Sequence, residues 1–490
     1  MKPSSIRRAL ALAAAVLSIA AVPAQAQLQP TTTTTVTAAL VADGGNVVAA
    51  KLRRPQTDAL GHAHVGIVFM HPYSSYQNFA MCDGLAARGY TTLCIDSTFT
   101  GHPDDYYGYE QHAPAIRAGI DYLRTLPAGG GMPAVSKVII FGHSMGAPMM
   151  AFYENVAENG PKAACQGPEK IMPCVDTNLQ DLPRADGVML FDPHLGDALA
   201  TYTYVDPALE GDILTCGPRK PQLDMFSAAN SYVSDPGQLD DNSASYSKQF
   251  RKDYTTHQAI RNQQILQAAL DALAQHRLET GDPDNMGDDV VFHVPGASGA
   301  RMWQPDTSLL KSTQQAHTLL ARDGTRPVQV VSSVRPPSGN LPASSADCAN
   351  SMVNSTLHGW LGAHALDGTP GQYQQTPNDI TGINYRSSAT STVNGVLGFT
   401  VPLVIISNTG HYFLRPAEIV YENAKSADKT VAYSEGAVHG GTPCAQCTRI
   451  IMNDPTMPTA AANAYWTDPA GNGPLERSMN FYAEWLGARY

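Results

Sequence analysis

Five residues in the first third of the chain, Gly142-His143-Ser144-Met145-Gly146, follow directly on the apolar run Val138-Ile139-Ile140-Phe141. A continuous apolar run of this kind suits a strand covered on both faces of a parallel sheet. Beyond the motif, Met149, Met150, Tyr153 and Val156 recur at helical spacing, and Asn159-Gly160 supplies a stop. A serine between glycines at a strand-to-helix turn adopts a strained backbone conformation that only small neighbours admit. Its hydroxyl then stands clear of the sheet edge, and the N–H of Met145 faces a developing oxyanion. The stretch predicts an α/β architecture with Ser144 as nucleophile; the bland alternative is a glycine-rich turn whose serine caps the next helix.

The flanking sequence keeps the rhythm that a parallel sheet requires. Residues 36–41 and 47–52 read as an opening strand pair around an Asp43-Gly44-Gly45-Asn46 turn, preceded by a threonine run expected to be a flexible lead. Val65 to Met70 reads as a strand ending in His71-Pro72-Tyr73-Ser74-Ser75. A helix with Phe79, Cys82 and Leu85 inward follows, then a strand from Thr91 to Ile95 ending at Asp96, and a helix marked by Ile116, Ile120 and Leu123. Gly187 to Phe191 is the next strand, and Asp192-Pro193-His194 follows it. For about 200 residues the alternation then lapses. Within that stretch, 247–278 reads as a long helix with Leu266, Leu270 and Leu273 on one face, 308–321 as a helix, and 290–294 and 328–334 as strands. The alternation resumes at Val401 to Ser407, a helix from about Ala417, a strand from Lys429 to Tyr433, a glycine-rich loop with His439, and a helix striped by Met479, Tyr482, Trp485 and Leu486.

Residues 65–197 and 400–490 resemble the α/β-hydrolase superfamily, serine esterases and lipases in particular. The resemblance rests on His71-Pro72-Tyr73, on Leu85-Ala86-Ala87-Arg88-Gly89-Tyr90 leading to Asp96, and on Gly142-His143-Ser144-Met145-Gly146. It implies a mostly parallel central sheet flanked by helices, with a large mixed cap insertion between strands 6 and 7. The implied division is a first core part at 27–197, a cap at 198–399 and a second core part at 400–490. It also implies that Tyr73 supplies the second oxyanion N–H beside Met145, a pairing similar to that of cutinase-like polyester hydrolases.

A serine hydroxyl needs an adjacent base, and histidine has the suitable pKa. Among fifteen histidines, His439 sits just past the last strand, where the family order serine, acid, histidine places the base. The acid must fix the imidazole tautomer and stabilise the imidazolium. Ser407-Asn408-Thr409-Gly410-His411 carries no carboxylate in the usual place, so Asp192 is favoured and Glu418 is the alternative; Asp197 and Glu435 rank lower. His71, His143 and His411 are expected to line the site, His71 by shaping the oxyanion loop and His143 by packing under the serine.

The expected activity is hydrolysis of small-molecule or polymeric carboxylic esters through an acyl-enzyme, with no cofactor or metal. An amidase or peptidase with the same triad, or a silent binding protein on this scaffold, are the alternatives. Dehalogenase and epoxide chemistry would need an aspartate at position 144.

Lys2, Arg7 and Arg8 precede an apolar run from Ala9 to Val22, and Ala24-Gln25-Ala26 has the small-x-small pattern of a cleavage site. Residues 1–26 therefore read as a secretory signal peptide, which makes the mature chain secreted or periplasmic. Its removal takes the formal charge from −11 to −14, which argues against nucleic-acid or anionic-membrane partners. No later stretch is long and apolar enough to span a bilayer. Eight cysteines in an exported chain point to disulfides, with Cys165/Cys174 and Cys444/Cys447 as candidate pairs. The sequence says nothing of oligomeric state.

Overall fold

The computed structural model describes residues 28–36, 48–102, 106–297, 299, 301–337 and 352–490. The expected signal peptide at 1–26 and the turn at 43–46 lie outside the described residues.

The first half of the chain alternates strand and helix: β1 (Thr31–Val36), β2 (Ala50–Pro55), β3 (Val65–Phe69), α1 (Ala80–Ala86), β4 (Thr91–Ile95), α2 (Ala113–Thr125), β5 (Lys137–His143), α3 (Gly146–Asn159), a single turn α4 (Pro161–Ala164), β6 (Gly187–Phe191) and α5 (Asp197–Tyr204). Then come α6 (Lys248–Thr280), β7 (Val291–Val294), β8 (Ser312–Leu320), β9 (Val328–Ser332), β10 (Val353–Thr356) and four two-residue strands, β11 (Asp367–Gly368), β12 (Gln374–Gln375), β13 (Ile380–Thr381) and β14 (Ile383–Asn384). The chain ends on β15 (Leu403–Asn408), a helix at Leu414–Asn423, β16 (Lys429–Ser434) and a final helix at Pro474–Gly487.

Ten strands form one sheet in the order β1-β2-β4-β3-β5-β6-β15-β16-β8-β9. From β4 to β8 all neighbours are parallel, and the two edges are closed by antiparallel pairs. This is the mostly parallel, helix-flanked sheet that the resemblance implies. On one face α1 and the final helix bury Met81, Leu85, Met479, Tyr482 and Leu486 against Ile67, Phe69, Phe141 and Ile406. On the other, α2, α3 and the helix at Leu414–Asn423 bury Ile116, Ile120, Met149, Val156 and Val420 against Val68, Ile140, Leu190 and Ile405. With both faces covered, β3, β4 and β6 read as uninterrupted buried runs.

Three expectations are corrected. The threonine run is not a flexible lead: Thr31–Val36 is the edge strand β1, paired with β2 from Thr31↔Pro55 to Val36↔Ala50. β-Branched threonine favours the extended backbone, and an edge strand tolerates its exposed hydroxyls.

Residues 308–321 are not a helix either. Leu309, Leu310, Leu319 and Leu320 mimic helical spacing, but 312–320 is β8, which pairs with β16 at Ala432↔Thr318, Tyr433↔Leu319 and Ser434↔Leu320. The register shift against β9 between Ser312 and Ala316 leaves the N–H groups of Gln314 and Gln315 free of the ladder. Both donate to the carboxylate of Glu418, at 2.7 and 2.8 Å.

The expected cap at 198–399 therefore lends 312–332 to the central sheet. Its remainder holds a core of its own around Val205, Ile265, Leu273, Phe292, Trp360 and Leu361. Tyr246, Phe250, Tyr254 and Trp303 pack into the main core. Within α6, Leu266 is half-buried and Leu270 exposed. The buried face instead includes Gln258 and Asn262, whose amides donate to the carbonyls of Thr203, Val205 and Tyr202.

Cys165–Cys174 and Cys444–Cys447 are disulfides, joined by Cys82–Cys94; Cys216 is disulfide-bonded as well. No helix among the described residues is long and apolar enough to cross a membrane.

Candidate active site

The carboxyl ends of the adjacent strands β3, β5, β6, β15 and β16 carry Tyr73, Ser144, Asp192, His411 and His439 in turn. A parallel sheet collects at that edge the residues that follow its strands. Ser144 has φ +56°, in the left-handed region where a non-glycine residue is strained. The glycines around it are demanded by space. A Cβ on Gly142 would lie 2.3 Å from the Gly146 carbonyl oxygen, and one on Gly146 would lie 2.6 Å from that of Met70. The second contact holds the turn against the end of β3, so Met145 and Tyr73 come from neighbouring loops. The Met145 N–H donates to no acceptor among the described residues.

Asp192 also has a positive φ, +42°, and is fully buried. One oxygen, Oδ1, accepts from Ser407 Oγ at 2.7 Å and from the Asn408 N–H at 3.1 Å. The other, Oδ2, lies 2.6 Å from His439 Nδ1 in hydrogen-bond geometry. His411 Nδ1 is 2.7 Å from the same Oδ2 but outside hydrogen-bond alignment. Burial works to raise the Asp192 pKa, but the His411 and His439 imidazoles outweigh it and hold the carboxyl well below the usual range, so it is ionised. Burial pushes His411 down to about 4, so that imidazole is neutral near pH 7.

Glu418, the alternative acid, is committed elsewhere. Besides Gln314 and Gln315 it accepts from Arg415 Nη1 at 2.7 Å and meets His317 Nε2 at 2.8 Å. Its carboxylate serves the bulge of β8, so it is not placed with His439. Glu435 accepts from the Arg322 N–H. Asp197 takes the Tyr106 hydroxyl, and burial pushes its pKa up to about 7.

The other histidines are sorted by their partners. His71 Nδ1 accepts from the N–H of Ser74 at 3.1 Å and more weakly from that of Tyr73 at 3.4 Å, and its ring stacks on Tyr76. Burial, with the nearby His439, lowers its pKa to about 3. It shapes the loop after β3 as a neutral ring. His143 lies buried under the serine: Nδ1 takes the Tyr76 hydroxyl, and Nε2–H donates to the His439 carbonyl at 2.9 Å. That carbonyl also accepts from Asn408 Nδ2 at 3.3 Å. His71 and His143 are 4% and 6% exposed, and Tyr76 holds both rings. His411, 13% exposed in its side chain, stays at the site.

Sequence reasoning missed Tyr76, Ser407 and Asn408. Asn408 stands where the family's usual acid would be, and it binds both the Asp192 carboxylate and the His439 loop. The absent carboxylate after β15 was the available signal: what replaces an acid there has to anchor the one that stands elsewhere.

Asp192, His411 and His439 place one ligand atom each within 4.8 Å of one another, the composition of a small cation site. A cation would have to displace the hydrogen bond between His439 Nδ1 and Asp192, however, and both imidazoles turn the same nitrogen to one oxygen. The set is better satisfied as a proton-transfer group. Ser144 Oγ makes no hydrogen bond to His439 among the described residues. Its backbone N–H donates to the Phe191 carbonyl at 3.2 Å, and its carbonyl accepts from the His194 N–H at 3.1 Å, which ties the turn to the Asp192 loop.

No family model and no curated protein matches the chain. Among solved structures it is similar to a hypothetical protein of Pseudomonas aeruginosa (12% identity, 88% of this chain and 93% of that one, TM-score 0.36). It is also similar to a bacterial brefeldin A esterase (13%, 99% and 80%, TM-score 0.36) and to carboxyl esterase 2 of Tuber melanosporum (10%, 94% and 88%, TM-score 0.36). Strand order, a left-handed serine at the tip of β5 and the helix that follows it together define an α/β-hydrolase fold.

Proposed function

We propose that the protein is a serine hydrolase that cleaves carboxylic esters through an acyl-enzyme. The observation that carries this reading is the 2.6 Å contact between His439 Nδ1 and an ionised, fully buried Asp192, one strand from a left-handed Ser144. Asp192 accepts the Nδ1 proton, so the lone pair of His439 lies on Nε2, the nitrogen that faces away from the carboxylate.

In the reaction Ser144 Oγ attacks the ester carbonyl and His439 Nε2 takes its proton; that hydrogen bond tightens only in the substrate complex, as is usual. The N–H groups of Met145 and Tyr73 hold the oxyanion, the second giving up its long 3.4 Å bond to His71 Nδ1; losing either costs about 10²- to 10³-fold in rate. The imidazolium then protonates the leaving alcohol, and water, activated by the same base, releases the acid. The disulfides agree with export of the chain after removal of its N-terminal leader. The test is labelling with a fluorophosphonate together with turnover of short-chain, aryl and polymeric esters. An adduct on Ser144 that disappears in Ser144→Ala, with ester turnover lost in parallel, is the expected result. No adduct and no turnover would leave the scaffold as a binding protein.

A further inference from the structure

We propose that Arg301 binds a carboxylate carried by the ester substrate, so that the preferred substrates are esters with a second, free acid group. This rests on the reading of Ser144 as the nucleophile and names the substrate class for that same site.

Arg301 is 2% exposed, and its hydrogen-bonding neighbours among the described residues are neutral. Nε donates to Thr203 Oγ1 at 3.2 Å, Nη2 stands 2.7 Å from His194 Nε2, and Nη1 is buried without a partner. The guanidinium is ringed by aromatic faces, with its carbon 4.3 Å from the Tyr204 centroid, 5.6 Å from Trp303, 5.5 Å from Tyr412 and 5.8 Å from Phe413. Aromatic faces attract a cation but do not supply the paired, charge-assisted acceptors of a carboxylate. A buried guanidinium ordinarily has a carboxylate beside it.

The contact to His194 is itself frustrated. His194 Nδ1 already accepts the Gly196 N–H at 3.0 Å, and a neutral imidazole has only one acceptor nitrogen. Burial, with Arg301 close by, keeps His194 neutral, so its Nε2 carries the proton and cannot also accept from Nη2. Two donors compete for one lone pair. Beyond the neutral Tyr412 hydroxyl, which meets the guanidinium, Arg301 is therefore short of acceptors on its terminal nitrogens, the pair that a carboxylate engages bidentately.

Arg301 and Trp303 line one small cavity, of about 10 Å³, together with His194, Leu199, Phe413 and Pro416. Trp303 Nε1 is a further buried donor without a partner. The cavity adjoins the reaction centre: the His194 N–H holds the Ser144 carbonyl, and Phe413 stands edge-on to both His194 (4.8 Å) and His439 (5.3 Å). In a chain of net charge −11, a buried cation beside the nucleophile is a local device for selecting an anionic group.

The test compares kcat/KM for matched esters on the intact protein. The 4-nitrophenyl monoesters of adipic and suberic acid are set against 4-nitrophenyl hexanoate and octanoate. For an acid group on the alcohol side, 4-carboxyphenyl butyrate is set against phenyl butyrate. At least a tenfold preference for the acidic partner in one series, abolished when its free carboxylate is methylated, is expected. Arg301→Gln should bring the acidic-to-neutral ratio to about one. Should that variant fail to fold, competitive inhibition of the wild-type protein by adipate or suberate, at least tenfold tighter than by hexanoate or octanoate, is the second arm. Turnover of neutral esters with no acidic preference in either series, and equal inhibition by mono- and diacids, would overturn the assignment while leaving the hydrolase reading intact. Absence of both ester turnover and Ser144 labelling would instead strike at the hydrolase reading itself.

Discussion

The rings of His411 and His439 stack with centroids 4.3 Å apart and 27° between their planes, and both turn Nδ1 toward the same oxygen of Asp192. One carboxylate between two imidazoles raises the question of which is the base. Only His439 is aligned to donate, and its side chain is 33% exposed against 13% for His411. Charging both would set two cations face to face. A neutral His411, held down by burial, avoids that and forms one wall of the slot in which His439 becomes charged.

Replacement of each histidine separates the two. His439→Asn should lower kcat by about 10²- to 10⁴-fold, the span usual for a positioned general base, with KM changing little. His411→Asn should cost less than about tenfold by the same comparison, because the aligned hydrogen bond to Asp192 survives. Steady-state kinetics on a short-chain ester, with fluorophosphonate labelling rates as a second reading, decide it. The reverse ranking would make His411 the base.

Asp192→Asn and Glu418→Gln should part in kind. The first keeps the shape but presents an amide to His439 Nδ1, which favours the wrong tautomer, and kcat should fall by about 10³- to 10⁴-fold, with a lower melting temperature as well because the buried carboxylate's bonds to Ser407 and Asn408 lose their charge. The second removes charge from a group that serves two bulge N–H groups, Arg415 and His317. It should destabilise by roughly 1–3 kcal/mol and leave kcat near wild type at 25 °C. Loss of activity in Glu418→Gln at a temperature where it is fully folded would contradict this division.

What the sequence disclosed and what it hid follow from range. Ser144 and its glycines are legible because the turn's sterics act within five residues, and His439 because loop order is kept along the chain. Asp192 is favoured from its place after a strand, but Ser407 and Asn408, which close on it from 215 and 216 positions away, are beyond any local pattern. The misreading of β8 has a similar origin: its leucines fit a helix locally, and only β16 and Glu418, more than 100 residues on, show why it is extended. Arg301 lies in the insertion, where no motif marks it, and becomes informative only through the acceptors it lacks.

Gly146→Ala tests the contact between the serine turn and β3. The added Cβ would sit 2.6 Å from the Met70 carbonyl oxygen, so backbone must move. A cost of about 1–3 kcal/mol is expected from overpacking. The displaced Met145 N–H should also lower kcat by about 10²-fold, the loss of one oxyanion donor. Fluorophosphonate labelling should slow in proportion, since the phosphonyl oxygen uses the same donor. Wild-type kcat in a destabilised Gly146→Ala protein would show that the contact serves packing alone.

The buried histidines oppose acid well before Asp192 is protonated. Burial holds His71 and His112 to about 3 and His411 to about 4, whereas in the unfolded chain each titrates near 6.5. As pH falls through 6.5 the unfolded chain takes up protons that the native state refuses. For each such histidine taken alone, stability is flat above that value and declines below it by up to about 1.4 kcal/mol per pH unit until the folded value is reached. Asp197 and Glu110, pushed up by burial to about 7, and Glu154, pushed up to about 8, contribute the opposite slope down to the unfolded carboxyl range. The depressed carboxyl of Asp192 works at lower pH: its contribution is complete above the unfolded aspartate range, near 4, and adds no slope between 5 and 6.5. Between pH 7.5 and 5 the histidines and the raised carboxyls therefore pull the melting temperature in opposite directions, and single variants separate them. His112 donates to or accepts from Ser97 Oγ away from the reacting groups, so His112→Gln isolates one term: a lower melting temperature at pH 7.5, but a gap to wild type that narrows on acidification. An unchanged slope in that variant would mean that His112 is not among the groups whose protonation the fold resists.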